Sequence, residues 1–276
     1  MTPPAESRAD GYDALYRDFD SPLWRQTRRE AYGEDIGQHS WVSADELRGD
    51  ISRLTLTASS HFLDLGCGPC GPLTFVIAQS GCRGTGVDLS LPALRIGAAR
   101  AAALGIESRF SVQQGDLDEP LPFPRASFDA VVSLDVVLHL RDRARLFHEV
   151  ARLLSVGGRF LFTDAGVITG AISGDDVRRR SAHGHTQLVV AGWNERLLAA
   201  AGLRLIESED RTTSVLNAAR GRLRALQAHR AELEELTGVA AVAGQQDYLE
   251  TVADLSERRA LSRVMYLVET GASPVT

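Results

Sequence analysis

The segment Phe62-Leu-Asp-Leu-Gly-Cys-Gly-Pro-Cys-Gly71 joins an apolar run to a glycine-rich turn, and a helical pattern over Pro72 to Gln79 follows at once. Gly66 and Gly68 let the backbone bend tightly and approach a ligand with no Cβ in the way, and the free N–H groups that open the next helix point at that ligand. Written as Gly66-x-Gly68-x-x-Gly71, this is the spacing of a dinucleotide-binding turn. Asp64 argues for another ligand end. A carboxylate two residues before the first glycine would repel a pyrophosphate and welcome a cation.

The same turn contains Cys67-Gly-Pro-Cys70, the dithiol spacing of thioredoxin-like redox proteins. Against that chemistry, no tryptophan precedes Cys67 and the chain is far longer than a thioredoxin unit. Cys82 has no partner at metal-ligand spacing, so no metal site is expected. Three cysteines, no apolar run long enough to span a bilayer and a polar stretch from Met1 to Asp10 predict a cytoplasmic protein with no membrane partner.

These side chains need a frame to hold them. With 276 residues, 44% of them hydrophobic, the chain can bury a sizeable core, either as one large domain or as a main domain with a cap. A net charge of −6 disfavours nucleic acid and leaves a small molecule as the expected partner, with a homo-oligomer left open. All 30 basic residues are arginine, which excludes lysine Schiff-base chemistry and with it pyridoxal enzymes and class I aldolases. Most arginines, including those of Arg141-Asp-Arg-Ala-Arg145 and Arg178-Arg-Arg180, are expected on the solvated surface.

From His61 onward, strand patterns alternate with helical ones. Residues 62–65, 84–88, 108–113, 128–134, 158–163, 203–209 and 264–269 read as strands, with helices over 92–104, 143–154 and 194–201 among them. Val156-Gly-Gly158 reads as the turn into the fifth strand. The fold class is therefore α/β, a doubly wound Rossmann-like sheet of seven strands with ligands at the strand C-terminal ends. Residues 1–58 form an N-terminal helical cap, with Ser43 as an N-cap, and 59–276 the core, interrupted by a helical cap insertion over 213–260. In that insertion Leu216, Leu223, Leu226, Leu233 and Leu236 share one helical face.

Over about residues 30 to 270 the chain resembles the class I S-adenosylmethionine-dependent methyltransferases. The likeness rests on Leu63-Asp-Leu-Gly-Cys-Gly68, Gly86-Val-Asp-Leu-Ser90, and Gln114-Gly-Asp116 before Leu121-Pro-Phe123. It implies S-adenosyl-L-methionine as cofactor and a last strand that runs antiparallel. Asp64, Gly66 and Gly68 would hold the methionine end, Asp88 the ribose hydroxyls, and Asp116 with Leu117 the adenine. Leu89 and Leu134 belong to the same implied site, and Gln38 and Ser40 in Gly37-Gln-His-Ser-Trp41 would reach the methionine carboxylate.

A narrower likeness is to the phosphoethanolamine and glycine/sarcosine/dimethylglycine N-methyltransferases. It lies in Tyr32-Gly-Glu-Asp-Ile36, Asp135-Val-Val-Leu-His-Leu140, and Ala201-Gly-Leu followed by Glu209-Asp-Arg-Thr212. In the phosphoethanolamine enzymes that aspartate and histidine belong to the active site, where the histidine works with a tyrosine of the N-terminal helix. Here Phe19, Asp20 and Trp24 lie near that tyrosine's place, with Tyr16 a turn away, and the later tyrosines that bind the phosphobase are replaced around His183 and His185.

Methyl transfer from a sulfonium needs alignment first, and a base only if the nucleophile arrives protonated. His139 is the candidate base: at i,i+4 on a helix beginning at Asp135, the carboxylate would fix the imidazole tautomer and raise its pKa. Tyr16, Phe19, Trp24, Asp164 and His185 are the candidate substrate contacts. The aromatic residues Tyr12, Tyr16, Phe19, Trp24, Tyr32 and Trp41 would roof the site with rings suited to an amine, a sulfonium or a carbocation. The expected function is in-line methylation of a small molecule, a specialised metabolite, on nitrogen, oxygen or carbon, set against two alternatives: a nicotinamide-dependent reductase, which suits Asp88 but not Asp64 or Asp116, and a non-catalytic cofactor-binding protein.

Overall fold

The computed structural model describes residues 8–181 and 185–271. Its strands are β1 (His61–Leu65), β2 (Arg83–Asp88), β3 (Phe110–Gln114), β4 (Phe128–Leu134), β5 (Leu154–Ile168), β6 (Val189–Val190), β7 (Leu203–Asp210) and β8 (Leu261–Thr270). They form one sheet in the order β3-β2-β1-β4-β5-β8-β7, with the short β6 paired to the end of β5. Strands β1 to β5 are mutually parallel, and β8 inserts antiparallel between β5 and β7. The expected doubly wound sheet with its reversed last strand is present, and β6 adds a two-residue strand too short for periodicity to reveal.

Alternation along the strands sorts the core into two layers. Phe62, Val132 and Leu161 face one side, where α3 (Ala44–Leu54), α4 (Gly71–Ser80) and α5 (Leu91–Ala103) contribute Leu47, Leu73, Ile77 and Leu94. Their neighbours Leu63, Val131 and Phe160 face the other, against Leu146, Phe147 and Val150 of α6 (Arg143–Leu153) and Leu198 of α8 (Trp193–Ala200). Val156–Gly158 is no turn, contrary to expectation. It lies within β5 as a bulge, where the ladder jumps from Phe128–Leu154 to Ala130–Arg159 and Gly157 takes φ +74°.

A third layer sits above the strand ends, made from both chain segments outside the alternation. Helix α2 (Pro22–Tyr32) meets α9 (Thr212–Ala228), which packs with α10 (Arg230–Thr237) and α11 (Val239–Glu257), while α1 (Arg8–Tyr16) lies against α5. Ser21 caps α2 by accepting from the Trp24 N–H at 3.3 Å, and Ser43 caps α3 through the Glu46 N–H at 3.2 Å. Between β5 and β6 lies a short helix, α7 (Gly174–Arg180). The leucine stripe of the insertion does not form one face, because the chain breaks at His229 between α9 and α10 and leaves Leu236 exposed. Its packed face is Val215, Ala218, Ala219 and Leu226, small enough for α9 to approach α2 closely. Arg143 and Arg180, expected on the surface, are buried.

The approach of α9 to α2 is tightest at Gly221, where a Cβ would lie 2.5 Å from the Ala31 carbonyl oxygen, while Gly244 in α11 faces open space. Alanine gains about 0.5–1 kcal/mol of helix propensity at either position. We expect Gly244→Ala to raise the unfolding midpoint and Gly221→Ala to lower stability by about 1–3 kcal/mol through overpacking. Urea unfolding of the two variants checks this; a gain at both positions would refute the close approach.

Candidate active site

A cleft of about 140 Å³ opens over the C-terminal ends of β1, β2 and β4. The sheet side supplies Asp64, Gly66, Gly68, Asp88, Leu89, Asp116, Leu117, Leu134, Asp135 and His139; the N-terminal segment supplies Tyr12, Tyr16, His39 and Ser40. Thirteen of these were expected from sequence, Tyr12 as part of the aromatic roof. His39 and Val136 also line the cleft, and no spacing rule singles them out.

The glycine turn is locked to β2. The N–H groups of Gly66 and Cys67 donate to the Val87 carbonyl at 2.8 and 3.1 Å, and the Gly68 N–H donates to Asp88 Oδ2 at 2.8 Å. At φ +76° Gly66 needs the left-handed region, and a Cβ there would meet Val136 at 2.6 Å. Asp88 also accepts from the Ser90 N–H at 2.8 Å, while the Ser90 hydroxyl caps α5. Its carboxylate is thus anchored by two backbone donors, and each oxygen keeps capacity for a further bond. Burial still pushes Asp88 up against these N–H bonds.

Within the cleft, Asp64 and Ser40 carry unsatisfied groups. Asp64 is buried with no donor among the described residues, and burial, reinforced by the charge of Asp88, pushes its carboxyl up to about 8. The Ser40 hydroxyl is buried and unpartnered. Gln38, expected beside it, is turned away: its amide oxygen accepts from the Ile36 N–H at 3.0 Å and its amide nitrogen reaches the Glu34 carbonyl at 3.4 Å, so it shapes the loop rather than the cleft. Both thiols of the turn are free and buried, with Cys70 Sγ 3.4 Å from Cys67 Sγ. Burial raises the Cys67 thiol, the reverse of what an attacking redox thiol requires.

The expected partnership of Asp135 with His139 does not form. Residues 137–139 make a single 3₁₀ turn instead of a helix starting at Asp135, and Asp135 itself takes φ +60°. Its carboxylate accepts from Arg263 Nε and the Thr163 hydroxyl, both at 2.8 Å, and from the Trp41 N–H at 2.9 Å. Burial alone would raise its pKa, but the Arg263 charge and these bonds hold it below the usual carboxylate range. His139 instead donates from Nδ1 to the His185 carbonyl at 3.1 Å. Its pKa is lowered to about 4, not raised, because burial outweighs that bond.

The remaining candidates lie off the cleft. Asp164 is buried in an ion pair with Arg143 at 2.7 Å, and it also accepts from Asn194 at 2.9 Å and from the Gly166 N–H at 2.8 Å, which leaves it no reach to a substrate. Phe19 packs beneath the Arg28 guanidinium, 4.2 Å from the ring centroid, and Trp24 packs in the α2–α9–α11 layer. Of the expected aromatic roof, Tyr12 and Tyr16 face the cleft. His185 contributes its backbone carbonyl and an exposed side chain; His183 lies outside the described residues. Arg143 and Arg263 were missed, although an arginine inside the apolar run of β8 is itself a signal of a buried partner. Among the described residues there is no cluster of three or more metal-ligating side chains and no helix long and apolar enough to cross a membrane.

Fold and cleft define a Rossmann-like protein with a cleft over its strand ends, in which the buried carboxyl of Asp64 would suit a cationic ligand group. Residues 63–162 match the family described as a methyltransferase domain. The chain is 31% identical over 164 residues to methyltransferase GfsG of Streptomyces halstedii, covering 57% of this chain and 58% of that one. It is 30% identical over 169 residues to 27-O-demethylrifamycin SV methyltransferase of Amycolatopsis mediterranei, covering 59% and 60%. It thus spans less than two thirds of the length of these curated relatives. The same fold appears in phosphoethanolamine N-methyltransferase 2 of Haemonchus contortus, with a TM-score of 0.80 at 20% identity, over 97% of this chain and 61% of that one. Residues 63–162, from β1 into β5, thus match a methyltransferase domain, for which the sequence motifs imply S-adenosylmethionine as cofactor.

The cleft fits that cofactor on its own terms: a carboxylate without a donor, a hydroxyl without a partner and a turn that admits no Cβ. Asp64 has a folded pKa of about 8 against an ordinary 3.8, so the folded state keeps a proton that the unfolded chain releases. Its contribution to stability is therefore lost as pH rises from 3.8 to about 8, by at most about 1.4 kcal/mol per pH unit. A cation bound beside it would expel the proton. Calorimetry at pH 7 in buffers of differing ionisation enthalpy should show close to one proton released per S-adenosylmethionine bound, and none for Asp64→Asn; equal release from both would refute the assignment.

Proposed function

We propose that this protein transfers the methyl group of S-adenosylmethionine to a small-molecule acceptor, and that the acceptor atom is a hydroxyl oxygen on an uncharged group. The observation that carries the cofactor half is the convergence of unpaired Asp64, unpartnered Ser40 and anchored Asp88 in one cleft. Asp64 takes the methionine ammonium, Ser40 the methionine carboxylate and Asp88 the ribose hydroxyls, with Gly66 and Gly68 giving backbone room. Asp116, Leu117, Leu89 and Leu134 enclose the adenosine. Helices α1 and α2 and the insertion over 213–260 act as the cap over the core, whereas α3, expected in that cap, packs on the sheet, and three free buried thiols accord with a reducing, cytoplasmic setting.

The sulfonium supplies an already activated methyl, so the protein's work is placement, worth on the order of 7–11 kcal/mol when alignment is good. Tyr12, Tyr16 and His39 close the cleft on the side of the N-terminal segment and exclude water. His139 is neutral at physiological pH, and with Nδ1 bound to a carbonyl it presents unprotonated Nε2 as the proton acceptor. A hydroxyl nucleophile needs such a group; an alkene or a free amine does not. The charged residues lining the cleft are all carboxylates, which suits an acceptor with no phosphate at its reacting end. A relative named for an O-demethylated acceptor supports the same choice. A nicotinamide reductase would set a pyrophosphate beside Asp64 and Asp88 with no cation between them.

Asp88→Ala should weaken S-adenosylmethionine binding by about 2–4 kcal/mol, and titration calorimetry showing unchanged affinity would end the cofactor assignment. His139→Ala should lower the methylation rate by about 10² to 10⁴ while cofactor affinity stays within a factor of a few. Because its pKa is about 4, the native rate should hold level from pH 8 down to near pH 5.5 and fall only as the imidazole protonates below that. Near-native turnover in His139→Ala would favour an acceptor that needs no deprotonation.

A further inference from the structure

Arg143 opens α6 just beyond the 3₁₀ turn that carries His139, and only 2% of its surface is exposed. All three guanidinium nitrogens are engaged. Nη1 donates to Asp164 at 2.7 Å and Asn194 at 2.9 Å, Nε to Gln187 Oε1 at 3.0 Å, and Nη2 to the Gln187 carbonyl at 2.6 Å. Gln187 in turn donates its N–H to the Leu138 carbonyl at 2.7 Å, beside His139. Two residues back along this clamped strand of backbone, the His185 carbonyl accepts from His139 Nδ1 at 3.1 Å.

A carbonyl can only accept, so this bond requires the proton on Nδ1 and leaves Nε2 free. The side chain that would ordinarily do this work, Asp135, is committed to Arg263, Thr163 and Trp41. Burying an arginine and an aspartate costs several kcal/mol of desolvation, and a pair of apolar residues would fill the same space without it. What the apolar pair would not supply is the planar fork that grips both ends of Gln187 at once.

We propose that Arg143 is a positioning residue for His139: held by Asp164 and Asn194, it fixes residues 185–187, whose carbonyl sets the imidazole tautomer. The consequence for turnover rests on His139 being the proton acceptor; the tautomer itself does not. Asp164 then acts two bonds away from the cleft rather than in it.

The test is ¹⁵N NMR of histidine-labelled protein, with the His139 signals assigned by their loss in His139→Gln. The native protein should show Nδ1 as the protonated and Nε2 as the unprotonated ring nitrogen. Arg143→Lys keeps the charge opposite Asp164 but not the fork, and should give a mixture of tautomers with kcat lowered about 10- to 100-fold, the cost typical of losing an orienting partner, and KM for S-adenosylmethionine unchanged. Gln187→Ala should move both readouts the same way by less, and it decides the matter if Arg143→Lys does not fold. A native tautomer and native kcat in the folded variants, or an Nε2-protonated His139 in the native protein, would overturn the proposal. Full turnover in His139→Gln alongside a tautomer shift in Arg143→Lys would instead sink the base assignment and leave the positioning intact.

Discussion

Arg263 reaches from near the start of β8 into a space with no solvent, where its guanidinium meets Asp135 at 2.8 Å on one side and Glu46 on the other. The chain of charges continues from Glu46 to Arg211 at 2.8 Å and from Arg211 to Asp50 at 2.6 Å, with the Ser214 hydroxyl also on Glu46. In this way the end of β4, the last strand, helix α3 and the start of α9 are joined at one place. Removing a single partner from such a pair strands a buried charge at a cost of about 3–5 kcal/mol, whereas an apolar replacement of the whole set would cost little. The network therefore defines an arrangement more than it adds stability. Asp135 shows the strain involved: a non-glycine residue at φ +60° costs on the order of 1–3 kcal/mol, and it persists because Thr163 and Trp41 hold its backbone and carboxylate together.

From Asp135 the constraint passes to the cleft. The Trp41 N–H bound to Asp135 ends the loop that presents His39 and Ser40, and the Tyr32 hydroxyl holds the Ser40 carbonyl at 3.0 Å from the other side. Trp41 itself stacks on Tyr248 of α11 with ring centroids 6.3 Å apart, so the inserted helices are tied to the same point. The backbone of this side of the cleft is thus held by the fold itself, which would lower the ordering cost of binding a ligand there.

How much of this the sequence reveals depends on whether a feature is local. Gly66, Gly68 and Asp88 are legible because a glycine turn after a strand and an acid at the next strand's end are local patterns with one geometric use. Gln38 and Asp164 mislead for a common reason: an amide or carboxylate near a cleft in sequence is claimed by whichever donor folding brings closest, Ile36 N–H in one case and Arg143 in the other. The Asp135–His139 pairing assumed a helical period that a left-handed Asp135 breaks; aspartate enters that region more readily than most residues, but its type alone does not announce it. The leucine stripe of the insertion failed because periodicity cannot see the break at His229. Distant partners such as Arg263 and Glu46 are beyond any window, although a lone arginine in a buried strand indicates that one exists.

Three ionisable groups around the cleft are pushed in different directions, and the pattern assigns their parts. Asp135 is held charged by Arg263, Asp64 is held protonated by burial, and His139 is held neutral by burial. A site meant only to bind a neutral molecule would gain nothing from an uncompensated carboxyl beside a second one, since that arrangement destabilises the empty protein as pH rises. Such a group makes physical sense where a cation regularly arrives to release its proton. A neutral imidazole with one nitrogen tied to a carbonyl likewise makes sense where a proton must be taken from a nucleophile without charge already in the way. One group is poised for a cation and the other for a proton, and both line the same cleft, where the proposed methyl transfer would need them together.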